Sequence, residues 1–367
     1  MGEYLYNFIN ILSFIFVFGL IVFVHEFGHF FMARRAGCRI DEFGFGFGPK
    51  LFGWKKGETK YAIKLFPIGG YVKIYGEEGG EDTNNPKSFA SKTPLQKFSI
   101  LIAGVTMNFI LAIVILTGIF IVGFKPLIPQ NYNLPGIIDN QKVLIQGVAE
   151  SSPAQKAGIE GGWEVKSVNG KKAGNSLVFA GMVNEKVGQP IDIVLQKDGQ
   201  TKEFRIIPER DDKIYKIGVY LEDSGTIRAP FYLAPVDAII WSWDLGKLTI
   251  VGFYQFFEQL FTSFSVAENV TGPVGIYKAT GAIAYMGFDY LMQFTAIISL
   301  TLAIMNLLPI PALDGGHIFI LGLEKITKRK LDEKAKNTAA LVGFSLLILL
   351  MIIITWKDLI RFDIIKW

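Results

Sequence analysis

The sequence predicts a polytopic α-helical membrane protein with about four transmembrane helices, a membrane-associated β-hairpin region and an inserted α+β domain. Half of the 367 residues are hydrophobic. Four apolar stretches are long enough for a helix to cross a bilayer, which takes about 20 residues. Two other segments instead alternate apolar and polar residues between glycines and prolines, a pattern typical of short β-strands.

The apolar stretches define the predicted membrane spans. They cover residues 8–24, 100–123, 291–308 and 338–355. The start of the chain has neither the basic region nor the small-residue cleavage site of a signal peptide, so we expect the first span to be retained.

Basic residues next to the spans predict the orientation. Arg34 and Arg35 follow the first span, and six lysines and arginines lie within residues 325–336, between the third and fourth spans. Loops rich in basic residues stay on the cytoplasmic side. We therefore expect both termini and the long segment between spans two and three to be extracytoplasmic.

Composition gives no support for a nucleic-acid partner and excludes sites that need several cysteines. The formal net charge is only +4, which gives no case for a nucleic-acid partner. Cys38 is the only cysteine of the sequence, so the chain has neither an intramolecular disulfide nor a cysteine-rich zinc site.

The motif HEFGH ends the first span. His25 and His29 are four residues apart, so on a helix they share one face and can bind one Zn²⁺. Glu26 lies beside them and can take a proton from a water molecule. A short motif of this kind also arises by chance in helices. Ionisable groups are costly in a bilayer, however, and are usually functional there, which favours a metal site.

Residues 40–76 are predicted to form short strands and hairpins. Aromatic and aliphatic residues alternate there with glycine and charged residues, as far as the sequence FPIGGYVK. A sheet edge beside the helix that carries HEFGH can hold an extended peptide by strand addition. The alternative is a structural hairpin that rests on the membrane surface. The candidate substrate-binding residues of this region are Gly69, Gly70, Tyr71 and Val72.

Residues 127–222 have the polarity of a soluble domain. A strand, a helical turn at SPAQKAG, a second strand, a helix candidate at 176–187 and a hairpin with a KDGQ turn follow one another. This segment resembles a PDZ domain of the bacterial protease type. A groove-forming fold favours recognition or gating over a spacer, and the sequence leaves peptide binding and size filtering both open.

Residues 223–285 are predicted to be an extracytoplasmic interfacial region. Within it, residues 231–262 are apolar and aromatic but include charged side chains. This composition favours a pair of helices on the outer leaflet over a fifth, partial span.

The segment NLLPIPALDGGH, residues 306–317, supplies the second half of the predicted site. Pro309 and Pro311 end the helix of the third span and free backbone polar groups, which are tolerated only against protein or a watery cavity. Asp314 would complete a set of three protein ligands, the number typical of a catalytic zinc site. His317 is the competing third ligand, and it can instead be an outer-shell partner or part of the helix start. The structural alternative for Asp314 is a helix N-cap.

Together and in this order, HEFGH, a GFGP hairpin, FPIGGYVK, the PDZ-like segment and NLLPIPALDGGH resemble the site-2 protease family of intramembrane zinc metalloproteases. The arrangement is similar to the bacterial branch typified by the regulator of sigma-E protease, with a single PDZ domain. The resemblance covers nearly the whole chain. Two features depart from it: Val105 stands where span two often has proline, and some relatives have two PDZ domains in tandem.

The resemblance implies a function and a set of residues. His25, His29 and Asp314 would bind zinc, Glu26 would be the general base, and Asn306 would help to hold the substrate strand or the developing oxyanion. The reaction would be hydrolysis of peptide bonds in transmembrane segments of single-pass membrane proteins, such as anti-sigma factors or signal-peptide remnants. These substrates would already be shortened on their outer side, because the PDZ region would exclude long ectodomains. The setting would be the lipid bilayer of the bacterial inner membrane.

Two other classes of protein share some of these features. A zinc carrier would need the ligands but neither Glu26 nor a peptide-binding domain. A PDZ scaffold with an inactive core would not need an intact Glu26. The complete set of features therefore favours the protease.

The predicted division of the chain has eight parts. They are a first transmembrane helix (1–36), a cytoplasmic-side hairpin and loop region (37–99), a second transmembrane helix (100–124), a PDZ domain (127–222), an interfacial region (223–285), a third transmembrane helix with the proline motif (286–325), a fourth transmembrane helix (337–358) and a tail (359–367).

Overall fold

The computed structural model describes residues 2–77, 84–127, 134–136, 138–139, 142–185, 188–211, 214–262, 271–329, 331–362 and 365. Its helices are α1 (Gly2–Arg35), α2 (Pro94–Val122), α3 (Pro153–Lys156), α4 (Ser176–Glu185), α5 (Ala234–Thr262), α6 (Pro273–Met286), α7 (Phe288–Asn306), α8 (Asp314–Thr327) and α9 (Glu333–Arg361). Its strands are β1 (Ile40–Lys56), β2 (Thr59–Ile74), β3 (Ile138–Asp139), β4 (Lys142–Val148), β5 (Glu164–Val168), β6 (Ile191–Lys197), β7 (Gln200–Ile206), β8 (Glu209–Asp211), β9 (Ile214–Lys216), β10 (Val219–Ser224) and β11 (Ile227–Arg228). These elements form two units, residues 1–116 with 241–367 and residues 117–240.

Within the residues that the structure describes, four helices are long and apolar enough to cross a membrane: most of α1, all of α2 and α7, and nearly all of α9. They correspond to the four predicted spans, so the prediction of a polytopic α-helical membrane protein is confirmed at that level. Helix α2 is continuous through Val105, so the absence of a proline there leaves a regular helix.

One predicted helical region differs from the structure and another agrees with it. The expected helix pair at 231–262 is one helix of 29 residues, α5, because Gly246 and Gly252 remain within the helix instead of ending it. The segment 286–325, predicted to hold the third transmembrane helix and the proline motif, contains two helices, α7 and α8, with the predicted helix break between them. Pro309 cannot continue a helical hydrogen-bond ladder and lies in the break between them.

Small residues let the helices around α1 pack closely. A Cβ added at Gly28 of α1 would lie 2.8 Å from the carbonyl carbon of Ala103 and from Cγ of Met107, both on α2. A Cβ added at Gly281 of α6 would lie 2.8 Å from Nδ2 of Asn10 on α1. Close backbone approach at small residues is a main source of helix association in membranes. These contacts hold α1 in place between α2 and α6.

The long strands β1 and β2 each bend back, so that they form one sheet of four strand segments. Phe43 pairs with both Val72 and Tyr61, and Tyr61 also pairs with Trp54. The order across the sheet is therefore 70–74, 40–47, 60–64 and 50–56. Residues 70–74 thus form an edge strand.

Glycines allow the bends in this sheet. Gly46 and Gly48 of β1 have φ of 88° and 87°, and Gly69 of β2 has φ of 96°. A side chain would strain the backbone in this region of conformational space. The bend at Gly69 directly precedes the edge strand 70–74.

Residues 117–240 contain a five-stranded antiparallel sheet in the order β10-β4-β5-β6-β7. Asp198 and Gly199 join β6 to β7 with φ of 49° and 80°, as expected of the type I′ turn that the KDGQ sequence predicts. The predicted helix at 176–187 is α4; residues 186–187 lie outside the described residues. Fully buried aliphatic side chains from the sheet form the centre of the core, and they include Val143, Ile145, Ile191, Ile193 and Leu195.

Candidate metal centre

Three metal-ligating side chains converge in the unit that contains the membrane spans. His25 and His29 lie one turn apart on α1, and their Nε2 atoms are 3.3 Å from each other. Oδ2 of Asp314 lies 3.2 Å from Nε2 of His25 and 3.4 Å from Nε2 of His29. The fold therefore brings together the three ligands that the sequence predicts.

The spacing of these atoms suits a zinc ion. Tetrahedral zinc with Zn–N bonds of about 2.0–2.1 Å keeps neighbouring ligand atoms about 3.3–3.4 Å apart. His29 donates its Nδ1–H to the carbonyl of Ile100 at 2.9 Å, so its Nε2 presents a lone pair in the neutral ring. In the described part of the chain, Oδ2 of Asp314 is buried and accepts no conventional hydrogen bond. Either an extra proton on one imidazole or a bound cation is needed to keep such lone pairs together.

A short loop and two glycines place Asp314. Helix α8 begins at Asp314 and its N-cap is Leu313, so the structure does not use Asp314 as an N-cap. A Cβ added at Gly315 would clash with the carbonyl of Leu307, and one at Gly316 would lie 2.7 Å from Cα of Pro311. The glycines therefore let the first turn of α8 rest directly on the loop before it.

The charge state of Asp314 follows from its neighbours. Burial raises the pKa of this carboxyl, but the imidazoles of His25 and His29 beside it outweigh burial and hold the pKa below its usual range. The side chain is therefore a carboxylate at neutral pH, which is the form that binds a metal ion.

Glu26 lies between the histidines in sequence and contacts the edge strand 70–74. The backbone N–H of Val72 donates a hydrogen bond to its carboxylate. A Cβ added at Gly70 would lie 3.3 Å from Cγ of Glu26 and 3.2 Å from the carbonyl oxygen of Gly44, which is tighter than ordinary contact. Of the four substrate-binding residues predicted in the sheet region, Gly70 and Val72 thus line the space beside Glu26.

Gly69 and Tyr71 instead face the rest of the sheet. The hydroxyl of Tyr71 donates a hydrogen bond to Glu42, and Nζ of Lys64 lies 4.2 Å from the centre of the Tyr71 ring. A Cβ added at Gly69 would meet the ring of Phe47. These two residues therefore shape the sheet around the edge strand.

Asn306 and His317 flank the loop that leads to Asp314. Asn306 is the last residue of α7. His317 lies in the first turn of α8, and its backbone N–H bonds to the carbonyl of Leu313 at 3.4 Å. Within the described ranges, the three-ligand cluster contains Asp314 and does not contain His317.

Gly104 is a site residue that sequence reasoning missed. It lies on α2 directly opposite the histidines, where an added Cβ would be 2.7 Å from Cε1 and 2.8 Å from Nε2 of His25 and nearer still to Nε2 of His29. The glycine directly precedes Val105 in span two, but its role becomes visible only when α1 and α2 are packed together.

Gly104→Ala is expected to weaken zinc binding by at least about tenfold, because the methyl group displaces both imidazoles from their positions. Competition with a chelating dye measures the affinity. Gly118→Ala is the matched control on the same helix, since a Cβ at Gly118 meets nothing within 4 Å. Equal zinc affinities for the two variants would contradict this role of Gly104.

Comparison with known proteins places this site in a family. The profile of peptidase family M50 matches residues 13–350. A candidate zinc metalloprotease of Clostridium acetobutylicum is 35% identical over 360 residues, which cover 96% of this chain and 98% of the relative. Zinc metalloprotease RasP of Geobacillus kaustophilus is 28% identical over 434 residues, covering 96% and 98%. The regulator of sigma-W protease RasP of Bacillus subtilis is 28% identical over 440 residues, covering 96% and 99%.

The solved structures that match include an isolated PDZ domain. The PDZ domain of an SdrC-like protein from Listeria monocytogenes is 20% identical, covers 26% of this chain and 93% of its own, and has a TM-score of 0.20. A score this low assigns no fold.

Apolar helices and a cluster of two histidines and an aspartate beside a glutamate define a membrane zinc metalloprotease. The chain belongs to peptidase family M50, the site-2 protease family. The predictions of the family, of protease activity and of zinc as the cofactor are thereby confirmed.

Proposed function

We propose that this protein is an intramembrane endopeptidase that hydrolyses peptide bonds in transmembrane segments of single-pass membrane proteins. The observation that carries the proposal is the convergence of His25, His29 and Asp314 beside Glu26. Three of these four residues lie on α1, a helix apolar enough to span a bilayer. Charged groups are expensive in that setting and are retained for function.

Glu26 supplies the proton transfers of the reaction. Zinc, when bound by His25, His29 and Asp314, polarises a carbonyl and lowers the pKa of a water molecule to about 7. The Glu26 carboxylate accepts the proton of the attacking water and then gives it to the leaving amine. Asn306, at the end of α7, is proposed to donate a hydrogen bond to the developing oxyanion.

The edge strand 70–74 is proposed to hold the substrate. Successive N–H groups point to opposite sides of a strand. The N–H of Tyr75 bonds to the carbonyl of Arg39 on the β1 side at 2.9 Å, so the N–H of Val72, an odd number of residues away, points to the free side. This agrees with the hydrogen bond from Val72 to Glu26. A substrate strand added to the free side would run beside the general base.

Strand addition also answers a problem of substrate conformation. A transmembrane helix hides its peptide bonds in i→i−4 hydrogen bonds, and the bilayer penalises backbone groups that lose their partners. A substrate must unwind to be cut. Pairing with the edge strand would replace the lost hydrogen bonds while holding the segment extended.

A cysteine at the edge strand is expected to form a disulfide with a cysteine placed near the cleavage site of a bound substrate. Paired strands keep Cα atoms about 4.5–5.5 Å apart, within the range that a disulfide spans. The experiment combines Val72→Cys with Glu26→Gln, to keep the substrate intact, and with Cys38→Ser, to remove the native thiol. Gel mobility measures the cross-linked product.

Lys55→Cys is the control for this experiment, because residue 55 lies on the opposite edge of the same sheet. The proposal requires cross-linking from position 72 and little from position 55. Similar yields from both positions would remove the edge strand 70–74 from the substrate path.

The relatives suggest the kind of substrate. The Bacillus subtilis relative is named as the regulator of sigma-W protease. We therefore propose a regulatory single-pass protein, such as an anti-sigma factor, as the substrate in a bacterial cell membrane. The basic residues in the last turn of α1, Arg34 and Arg35, support a metal centre towards the cytoplasmic side.

Cleavage by the purified full-length chain tests the proposed function. A model single-span substrate in detergent or proteoliposomes is expected to be cut within its apolar segment, as mass spectrometry of the products would reveal. A zinc chelator should stop the reaction and added zinc should restore it. Cleavage confined to the soluble parts of the substrate, or cleavage indifferent to the chelator, would overturn the proposal.

A further inference from the structure

A buried asparagine of span two faces the metal centre. Asn108 on α2 is only 1% exposed. A polar amide buried in an apolar helix is costly unless its hydrogen-bonding groups are used. Across the helix interface its amide Nδ2 lies 3.4 Å from Nδ1 of His25.

The two ring nitrogens of His25 have different tasks. Nε2 faces Asp314 and His29 within the ligand cluster. A neutral imidazole that offers the Nε2 lone pair to a metal carries its proton on Nδ1. Nδ1–H then needs an acceptor, and the amide nitrogen of Asn108 cannot be one.

The amide oxygen of Asn108 supplies that acceptor after a half-turn of the side chain. Oδ1 is buried and, in the described part of the chain, has no hydrogen-bond partner. The oxygen and nitrogen of an amide exchange places when it rotates by 180°, and their assignment follows from the hydrogen bonds they make. Metal binding by His25 therefore selects the orientation with Oδ1 towards Nδ1–H.

The other histidine has the equivalent partner on the same helix. Nδ1–H of His29 donates to the carbonyl oxygen of Ile100 at 2.9 Å. Ile100, Gly104 and Asn108 are spaced four residues apart, so they form one stripe along α2 that faces both imidazoles. Gly104 makes room for the two imidazole rings. Ile100 and Asn108, four residues before and after it, contact their Nδ1 atoms.

We propose that Asn108 is a positioning residue that accepts the Nδ1–H of His25 through Oδ1 and so fixes the tautomer that binds zinc. This inference rests on the proposed metal site of His25, His29 and Asp314. Hydrogen bonds from a ligating histidine to an outer partner typically strengthen metal binding ten- to a hundredfold.

The packing of α2 does not depend on the Asn108 side chain alone. Ser299 of α7 donates its hydroxyl to the backbone carbonyl of Asn108 at 2.9 Å, in a buried contact. A substitution at position 108 keeps that carbonyl. The side chain can therefore be changed while the link between α2 and α7 remains.

Zinc affinity of the purified full-length chain tests the role of the acceptor. Asn108→Leu, which removes it, is expected to weaken zinc binding about ten- to a hundredfold. Asn108→Asp keeps an oxygen at the same reach and is expected to bind zinc within about threefold of the wild type, because histidine-to-carboxylate pairs serve the same purpose. Asn108→Ala is a second loss-of-acceptor variant in case the leucine variant does not fold.

Asn10→Leu is the matched control. Asn10 is also a buried asparagine in a span, 3% exposed, but it packs against Gly281. The Asn10→Leu substitution should leave zinc affinity unchanged. Wild-type affinity in Asn108→Leu and Asn108→Ala would overturn the inference while leaving the metal site intact, as would an equal loss in Asn108→Asp. Absence of zinc binding by the wild-type chain would overturn the proposed function as well.

Discussion

Glu26→Gln is expected to lower the rate of cleavage by about 10²- to 10⁴-fold while the protein keeps its zinc. Glutamine has nearly the same shape as glutamate and can still contact the edge strand, but it cannot accept the proton of the attacking water. The ligands His25, His29 and Asp314 are untouched by the change. Single-turnover kinetics with a single-span substrate measures the loss, and metal analysis of the same sample measures the zinc content.

Glu58→Gln is the control for this prediction. Glu58 lies in the turn between β1 and β2, in an exposed ion pair with Lys87 at 2.9 Å, and such pairs contribute little to stability. The Glu58→Gln variant should cleave the substrate at the wild-type rate. Cleavage by Glu26→Gln at a similar rate would exclude Glu26 as the general base, and loss of zinc from this variant would make it a metal-site residue instead.

Asp314→Asn is expected to weaken zinc binding by more than about a hundredfold, which exceeds the usual effect of an outer-shell partner. The amide keeps the size of the side chain but replaces an anionic oxygen, lying 3.2 and 3.4 Å from the two imidazoles, by a neutral one. Cleavage should fall in parallel and should recover in part at high zinc concentration. Chelator competition and the zinc dependence of the rate are the measurements.

Asp332→Asn is the matched control for Asp314→Asn. Asp332 is the N-cap residue of α9, and asparagine is as good an N-cap as aspartate, so the helix should be unaffected. His317→Ala tests the alternative ligand and should leave zinc affinity near that of the wild type. A reversed outcome, with strong binding in Asp314→Asn and weak binding in His317→Ala, would replace Asp314 by His317 in the ligand set.

The sequence was sufficient to predict which three side chains the fold brings together in the candidate metal centre. The i, i+4 spacing of His25 and His29 determines that they share a helix face, whatever the rest of the fold. The prolines of the 306–317 segment predict a helix break, and a carboxylate just after such a break can point inwards. The four spans follow from length and hydrophobicity, because the bilayer imposes both.

The sequence was insufficient wherever the outcome depends on how distant elements pack. The opposition of Gly104 and the histidines exists only between α1 and α2, as does the hydrogen bond from His29 to Ile100. The bending of β1 and β2 into a sheet of four strand segments depends on glycines with positive φ, and no sequence pattern specifies those φ values. Residues 231–262 were predicted as a helix pair, but they contain the single helix α5. Its glycines do not end it, because glycine weakens a helix by only about 1 kcal/mol and packing readily outweighs that cost.

Anomalous diffraction at the zinc edge from crystals of the zinc-loaded protein tests the central claim most directly. We expect one strong peak at about 2.0–2.1 Å from Nε2 of His25, Nε2 of His29 and a carboxylate oxygen of Asp314. A peak elsewhere in the chain, or a peak bound by the histidines with the Asp314 carboxylate turned away, would contradict it.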